Sequence, residues 1–366
     1  MNYANLYLQI ALSELHGIGP RKAKLLLDNI TDIEDIFTLP YPEIFERTGI
    51  SINILSKMER SKALDNAQVI LKNCEDLSVT PIFFTDPRYS RRLKQCDDAP
   101  MVLYVQGAVD LNASRVVSIV GTRTPSDDGY KLCRDLVYGL KEAGVNVVSG
   151  LAYGIDITAH KSSLEVGLPT IGVLAHGLER IYPIHHRKVA EQMLLSGGLV
   201  TEYAPYSAVE RENFPMRNRL VAGMCDATIV IESKSKGGSL ITAELANDYN
   251  REVFAFPGSI YNEYAKGCND LIAEQKATLL RDSEDFLLKM GWETNRLSTP
   301  NQLSLFNTLS EQEMSLMEIL HRTSSTHIDT LVDELAYPVS DVNVLLFQLE
   351  MEGLVKTLPG NRYQLA

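Results

Sequence analysis

The groups in this chain best suited to chemistry are cations set among glycines and hydroxyls. These types gather in six short segments, four of which carry Lys or Arg: G-T-R (121–123), S-G-L-A-Y-G (149–154), G-L-E-R-I-Y-P (177–183), N-F-P-M-R-N-R (213–219), S-K-S-K-G-G-S-L (233–240) and P-G-S (257–259). Glycine lets a backbone come close to a ligand, hydroxyls and amides bind oxygen atoms, and Arg123, Arg217, Arg219, Lys234 and Lys236 supply positive charge. Phe214 and Tyr153 add faces on which bases could stack. Together these types point to a phosphate-rich ligand held by Gly121, Thr122, Arg123, Gly150, Phe214, Arg217, Asn218, Arg219, Lys236, Gly238, Ser239, Gly258 and Ser259.

Regular elements must carry those segments. Val116, Val117, Ile119 and Val120 form an apolar, β-branched run of the kind a strand covered on both faces needs, and Gly121 ends it. Thr124 then suits a helix N-cap with Pro125 at the first helical position, where its missing N–H costs nothing. The free amides of such a helix start favour an anion, and Arg123 beside them favours one too. An exposed arginine in an ordinary strand-to-helix turn fits the same residues. Further strands are expected at 80–86, 100–107, 146–150, 170–177, 199–203, 227–233 and 252–258, with helical patterns between those beyond Gly121. That alternation describes an α/β fold with an open, Rossmann-like, doubly wound sheet, whose ligands sit beyond the carboxyl ends of the strands.

Composition narrows the function classes. A chain of 366 residues is long enough for two or three domains, and no run approaches the roughly 20 apolar residues of a membrane span. The N-terminal sequence lacks the basic region and cleavage site of a signal peptide, so a cytoplasmic protein is expected. The five cysteines are scattered without a C-x-x-C pair and read as small core residues, with no metal site or cofactor indicated. A net charge of −12 argues against coating nucleic acid with the whole surface but leaves room for a local basic pocket.

The flanks differ from the centre. Residues 1–75 read as a helical, helix-hairpin-helix/SAM-like domain. There Gly17-Ile18-Gly19-Pro20 makes the turn, Arg21, Lys22 and Lys24 stud the next helix, and a further helix runs from Ile52 to Leu71. Such a turn offers amides to a DNA phosphate, although turns of this kind also join helices that only pack. Residues 76–292 hold the Rossmann-like core and 293–307 a polar linker. Residues 308–366 give three helices and a hairpin around Pro359-Gly360-Asn361, an order that resembles a winged helix. Its third helix carries three acids and no Lys or Arg, and would repel a duplex. A role in packing or protein contact is expected of it.

Over about residues 80–280 the chain resembles the DNA-processing protein A family, DprA or Smf. The resemblance rests on S-I-V-G-T-R, V-V-S-G-L-A-Y-G-I-D-I-T-A-H, G-L-E-R-I-Y-P, F-P-M-R-N-R-L-V-A-G, G-S-L-I-T-A-E-L-A and N-R-E-V-F-A-F-P-G-S, in that order. It implies a non-enzymatic protein that binds single-stranded DNA, protects it during natural transformation (competence) and helps load the recombinase RecA in DNA recombination, as a homodimer. It also implies that Gly121, Thr122 and Arg123 form a first phosphate loop, that Phe214, Arg217, Asn218 and Arg219 form a basic helix start, and that Gly238, Ser239 and Asn269 complete the rim. Met216 replaces a second basic residue of many relatives, and Asp127-Asp128 add negative charge near the first loop.

The main alternative is a nucleotide-binding, phosphoribohydrolase-like enzyme, because G-G-S-L-I-T-A-E places Glu244 after two glycines. Its pattern is broken in the second half and no second acid accompanies it. Asp156 and His160, four apart on a helix, lack a third metal ligand and fit structural hydrogen bonding better, while His185-His186 reads as a helix start. A dinucleotide-binding oxidoreductase is disfavoured because G-T-R-T-P-S lacks the G-x-G-x-x-G spacing. The acidic third helix speaks against a repressor.

Overall fold

The computed structural model describes residues 3–292, 310–323 and 325–366; the expected linker lies outside them. Among the described residues nine strands form one sheet: β1 (Thr80–Phe83), β2 (Val102–Gly107), β3 (Val116–Gly121), β4 (Asn146–Ser149), β5 (Thr170–Val173), β6 (Gly198–Thr201), β7 (Ala227–Ile231), β8 (Glu252–Ala255) and β9 (Thr278–Leu279). Their order is β1-β2-β6-β5-β4-β3-β7-β8-β9, with the run from β6 to β9 parallel and β2 antiparallel to both neighbours. The chain winds outward from β3 to β6, then returns to lay β7 against β3. That reversal is the topological switch point of the sheet, and a crevice opens there beyond the strand ends.

The α/β, doubly wound, Rossmann-like class expected from the alternating pattern is what forms. β3, β4, β5 and β7 are buried along almost their whole length because helices cover both faces. Several strands stop short of their apolar runs. β7 ends where Glu232 takes a φ of 51°, and β4 is followed by Leu151 at 55°, so the ladder cannot continue through either. The pattern gives no hint of the two-residue β9, which is too short to show alternation.

The N-terminal helices share one continuous apolar cluster with the sheet, running from Ile10, Leu12 and Leu26 to Tyr104, Leu174 and Leu199. The helix expected from Ile52 is two, Ile52–Leu55 and Arg60–Asp76, because Glu59 adopts a left-handed conformation between them. All five cysteines are buried and free.

The C-terminal unit is a winged helix: helices Glu311–Arg322, Ile328–Leu335 and Val339–Met351 packed on a small sheet of β10 (Thr326–His327), β11 (Val355–Leu358) and β12 (Arg362–Leu365). It docks at the amino ends of the central strands. Arg362 Nη1 donates to Ser114 O (3.0 Å), Asn361 Nδ2 to Asn250 O (3.0 Å), and Arg91 pairs with Asp333 (3.2 Å). Beneath this contact Asp226, at the start of β7, is gripped through both carboxylate oxygens by Arg92 (2.7 and 2.9 Å) and also accepts the Val116 N–H (2.9 Å). Burial alone raises the Asp226 pKa, but Arg92, His327 and these hydrogen bonds outweigh it and hold the carboxyl below its usual range. No described helix is long and apolar enough to cross a membrane.

Candidate functional site

A cleft of about 650 Å³ opens at the switch point, bounded by the segments after β3, β4 and β7 and by two helix starts. Helix Gly238–Asp248 begins at the cleft, and no side chain caps it. Its first two residues, Gly238 and Ser239, line the cleft, while the Leu240 N–H turns back to Gly237 O (3.1 Å); the leading amides of a helix favour an anion. Helix Asn213–Gly223 begins alongside, and Asn218 joins the two by donating from Nδ2 to Gly238 O (3.4 Å).

Ten of the fourteen residues singled out in the sequence line this cleft: Gly121, Thr122, Arg123, Gly150, Phe214, Arg217, Asn218, Lys236, Gly238 and Ser239. Backbone fit explains several glycines. A Cβ on Gly121 would lie 2.0 Å from Ile231 O, and one on Gly154, at a φ of 79°, would lie 2.2 Å from Thr122 O, so these two let the first loop nest between its neighbours. Gly238 is different: nothing lies within 4 Å of where its Cβ would be, so its open side faces the cleft.

The cations divide into two kinds. Arg123 and Lys236 are exposed and make no hydrogen bond or ion pair among the described residues; Arg211, which the sequence reading passed over, joins them on the lining. Arg217 is only 5% exposed and donates through Nη1 to Gly150 O (2.6 Å) and to Val173 O. Burial pulls its pKa below the ordinary guanidinium value; Asp156 opposes the fall and Arg123 adds to it. Arg217 thus fastens the ends of β4 and β5 and sets a positive floor, while the guanidinium groups of Arg123 and Arg211 remain free. Lys234, also on the lining, is paired with Glu263 (2.9 Å).

Four of the singled-out residues do not line the cleft. Arg219 is buried on the other side of its helix, bonded to Glu202 and to Asp98 O, because positions two apart on a helix point about 200° from one another. Gly258 and Ser259 lie on the neighbouring loop and Asn269 on the helix that follows it, Lys266–Ala273. There the Asn269 amide is taken up by Gly258, accepting its N–H (3.1 Å) and donating to its carbonyl (2.9 Å).

The helix after β3 also differs from expectation. Its N-cap is Ser126 and not Thr124, so Asp127–Gly139 starts two residues later, and Pro125 precedes the cap. The anion at this start is the protein's own. Glu232 accepts the Ser126 N–H (2.8 Å) and the Ser126 hydroxyl, so a carboxylate already stands at this helix start. The groups of the cleft left open to an anion are therefore the start of the Gly238 helix and the free cations.

The aromatic wall is Phe214 with Tyr182, their rings edge to face at 5.7 Å, and both line the cleft. Tyr153 instead packs on His186 (4.9 Å). Asp156 is the one carboxylate among the described lining residues, and its Oδ2 accepts the N–H groups of Gly150 (3.1 Å) and Ala152 (3.3 Å). Burial raises its pKa, against the pull of Arg217 and these amides. His160 bonds Thr170 (2.7 Å), His186 bonds Leu151 O (2.8 Å), and Glu244 is exposed and does not line the cleft. Among the described residues no group of three or more His, Cys, Asp or Glu could hold a metal. The cations of the N-terminal turn are all engaged: Arg21 with Asp97 (3.2 Å), Lys22 with Gly17 O (3.0 Å) and Lys24 with Cys96 O (3.3 Å).

Fold and site together define a doubly wound α/β protein with a cationic, aromatic-edged cleft at its switch point and a winged helix behind it. Residues 80–291 match the DNA recombination-mediator protein A family and residues 305–361 the DprA winged helix domain; the chain belongs to that family. It is 34% identical to protein Smf of Synechocystis sp., over 97% of each chain. Among solved structures it resembles DNA processing protein A (DprA) of Streptococcus pneumoniae, with a TM-score of 0.67 and 32% identity over 76% of this chain and 95% of that one. It also resembles DNA processing protein A of Helicobacter pylori, described for its single-stranded DNA binding mode, with a TM-score of 0.53 and 27% identity over 57% and 94% of the two chains.

Proposed function

We propose that the cleft holds the backbone of single-stranded DNA and that the protein acts by binding, without catalysis, in DNA processing during natural transformation. The observation that carries this reading is the convergence of Arg123, Arg211 and Lys236, whose side chains have no protein partner among the described residues, on the start of helix Gly238–Asp248, which no side chain caps. Phosphates would take the cations and amides, and unpaired bases would meet Phe214 and Tyr182. Few lining groups suit base edges, so sequence preference is weak. The single-stranded DNA binding mode described for the Helicobacter pylori relative supports the ligand class. Family membership supports the wider role: protection of incoming DNA, delivery to RecA, and action as a homodimer in the cytoplasm. The phosphoribohydrolase-like alternative loses its acid, because Glu244 lies away from the cleft lining.

Fluorescence anisotropy with single-stranded and duplex oligonucleotides over a salt series tests the reading. Neutralising three to five phosphates gives a slope of log K against log salt of roughly −2 to −3.5. A flat response, or equal affinity for duplex, contradicts it.

A further inference from the structure

Beside the cleft, the loop after β8 exposes two apolar side chains at its tip: Ile260 is 83% and Tyr261 92% exposed. The loop's own bonds hold the tip in place. Ser259 Oγ accepts the Tyr261 N–H (3.3 Å), Ser259 O accepts the Asn262 N–H (2.9 Å), and Asn262 Oδ1 accepts the Tyr264 N–H (2.9 Å). At its base Asn269 clasps Gly258 from both sides. Tyr264 then joins the loop to the cleft. Its hydroxyl meets Thr124 Oγ1 (3.4 Å) and its ring lies 4.6 Å from Lys234 Nζ, and both Thr124 and Lys234 line the cleft.

We propose that Tyr261 is a stacking platform for a base of the same DNA strand, at the point where that strand leaves the cleft past Lys234. This rests on the single-strand reading of the cleft and extends it. A braced loop that keeps an aromatic ring in water offers a flat face at little ordering cost, and continuity with the cleft puts that face on the path of a polymer. Bases then stack at Phe214 and Tyr182 within the cleft and again at Tyr261 beyond it. Every base has a π-face, so the platform adds affinity without sequence preference, and a duplex, whose bases are already stacked, does not engage it. Ile260 widens the apolar face.

The test uses the full chain and its Tyr261→Ala, Tyr261→Phe and Arg123→Ala variants, with oligothymidines of about 4 and about 20 nucleotides. Tyr261→Ala is expected to weaken binding of the longer strand about tenfold. It leaves the shorter strand and the salt slope unchanged, because no charge is lost, and Tyr261→Phe retains full affinity. If Arg123→Ala weakens the longer strand while Tyr261→Ala does not, the platform is overturned and the cleft stands. If the unmodified protein binds neither strand at low salt, both fall. A Tyr261→Ala variant that changes oligomeric state by sedimentation and leaves DNA affinity intact makes the tip a contact between copies and overturns the platform.

Discussion

Glu232 Oε2 accepts the Ser126 N–H at 2.8 Å, so the carboxylate at the end of β7 braces the N-cap residue of the helix that follows β3. The contact crosses the switch point and ties together the two strands that form it. Gly129 is what admits the carboxylate, since a Cβ there would lie 2.4 Å from Glu232 Oε2. Gly129→Ala and Glu232→Ala are each expected to destabilise the protein by about 1.5–3 kcal/mol, the usual cost of losing a hydrogen bond to a charged group. Urea unfolding measures it; unchanged midpoints would show that the brace carries no weight.

Arg123 and Arg217 separate binding from folding. Arg123→Ala removes an exposed, unpartnered cation and is expected to weaken single-strand binding, reduce the salt slope by about 0.7 and leave the thermal midpoint in place. Arg217→Ala strips Gly150 O and Val173 O of a buried donor and is expected to cost roughly 1.5–3 kcal/mol of stability. Titrations and melting curves on both variants read the two effects separately.

Gly238 offers a substitution that the fold tolerates and the ligand does not. Its missing Cβ meets open space, and an acid in the first helical turn suits the dipole. Gly238→Asp is therefore expected to melt at or slightly above the parent temperature, yet to bind single-stranded DNA at least about tenfold more weakly at low salt. Full affinity in this variant would move the phosphate path away from the helix start.

His160 sets part of the acid stability. Thr170 Oγ1 donates to Val147 O (3.0 Å), so His160 Nδ1 must donate to Thr170; burial pushes the imidazole pKa down to about 3 from 6.5. The folded state keeps His160 neutral while the unfolded chain takes up a proton below pH 6.5. Stability is then complete above that pH and declines as pH falls toward 3, by up to about 1.4 kcal/mol per pH unit. His176 and His186, lowered by burial as well, act in the same direction. His160→Asn should flatten this decline in urea titrations between pH 7 and 4.

Much of the architecture was legible in the chain because its signals are local. β-branched runs ended by glycine mark the parallel strands, alternation with helical patterns marks the doubly wound sheet, and a turn at Pro359-Gly360-Asn361 marks the wing. The G-T-R, F-P-M-R-N-R and K-G-G-S segments pointed to the cleft for the same reason: each is a contiguous strand end or helix start.

Only the folded chain decided which cations remain free. Arg217 and Arg219 look alike in sequence, but one is held by the carbonyls of Gly150 and Val173 and the other by Glu202 and Asp98 O, partners 17 to 121 residues away. Tertiary packing likewise brought Arg211 and Tyr182 to the rim, turned Tyr153 onto His186, and filled the Ser126 helix start with Glu232. A buried charge must find its counterpart wherever the topology supplies one, and no local pattern carries that information.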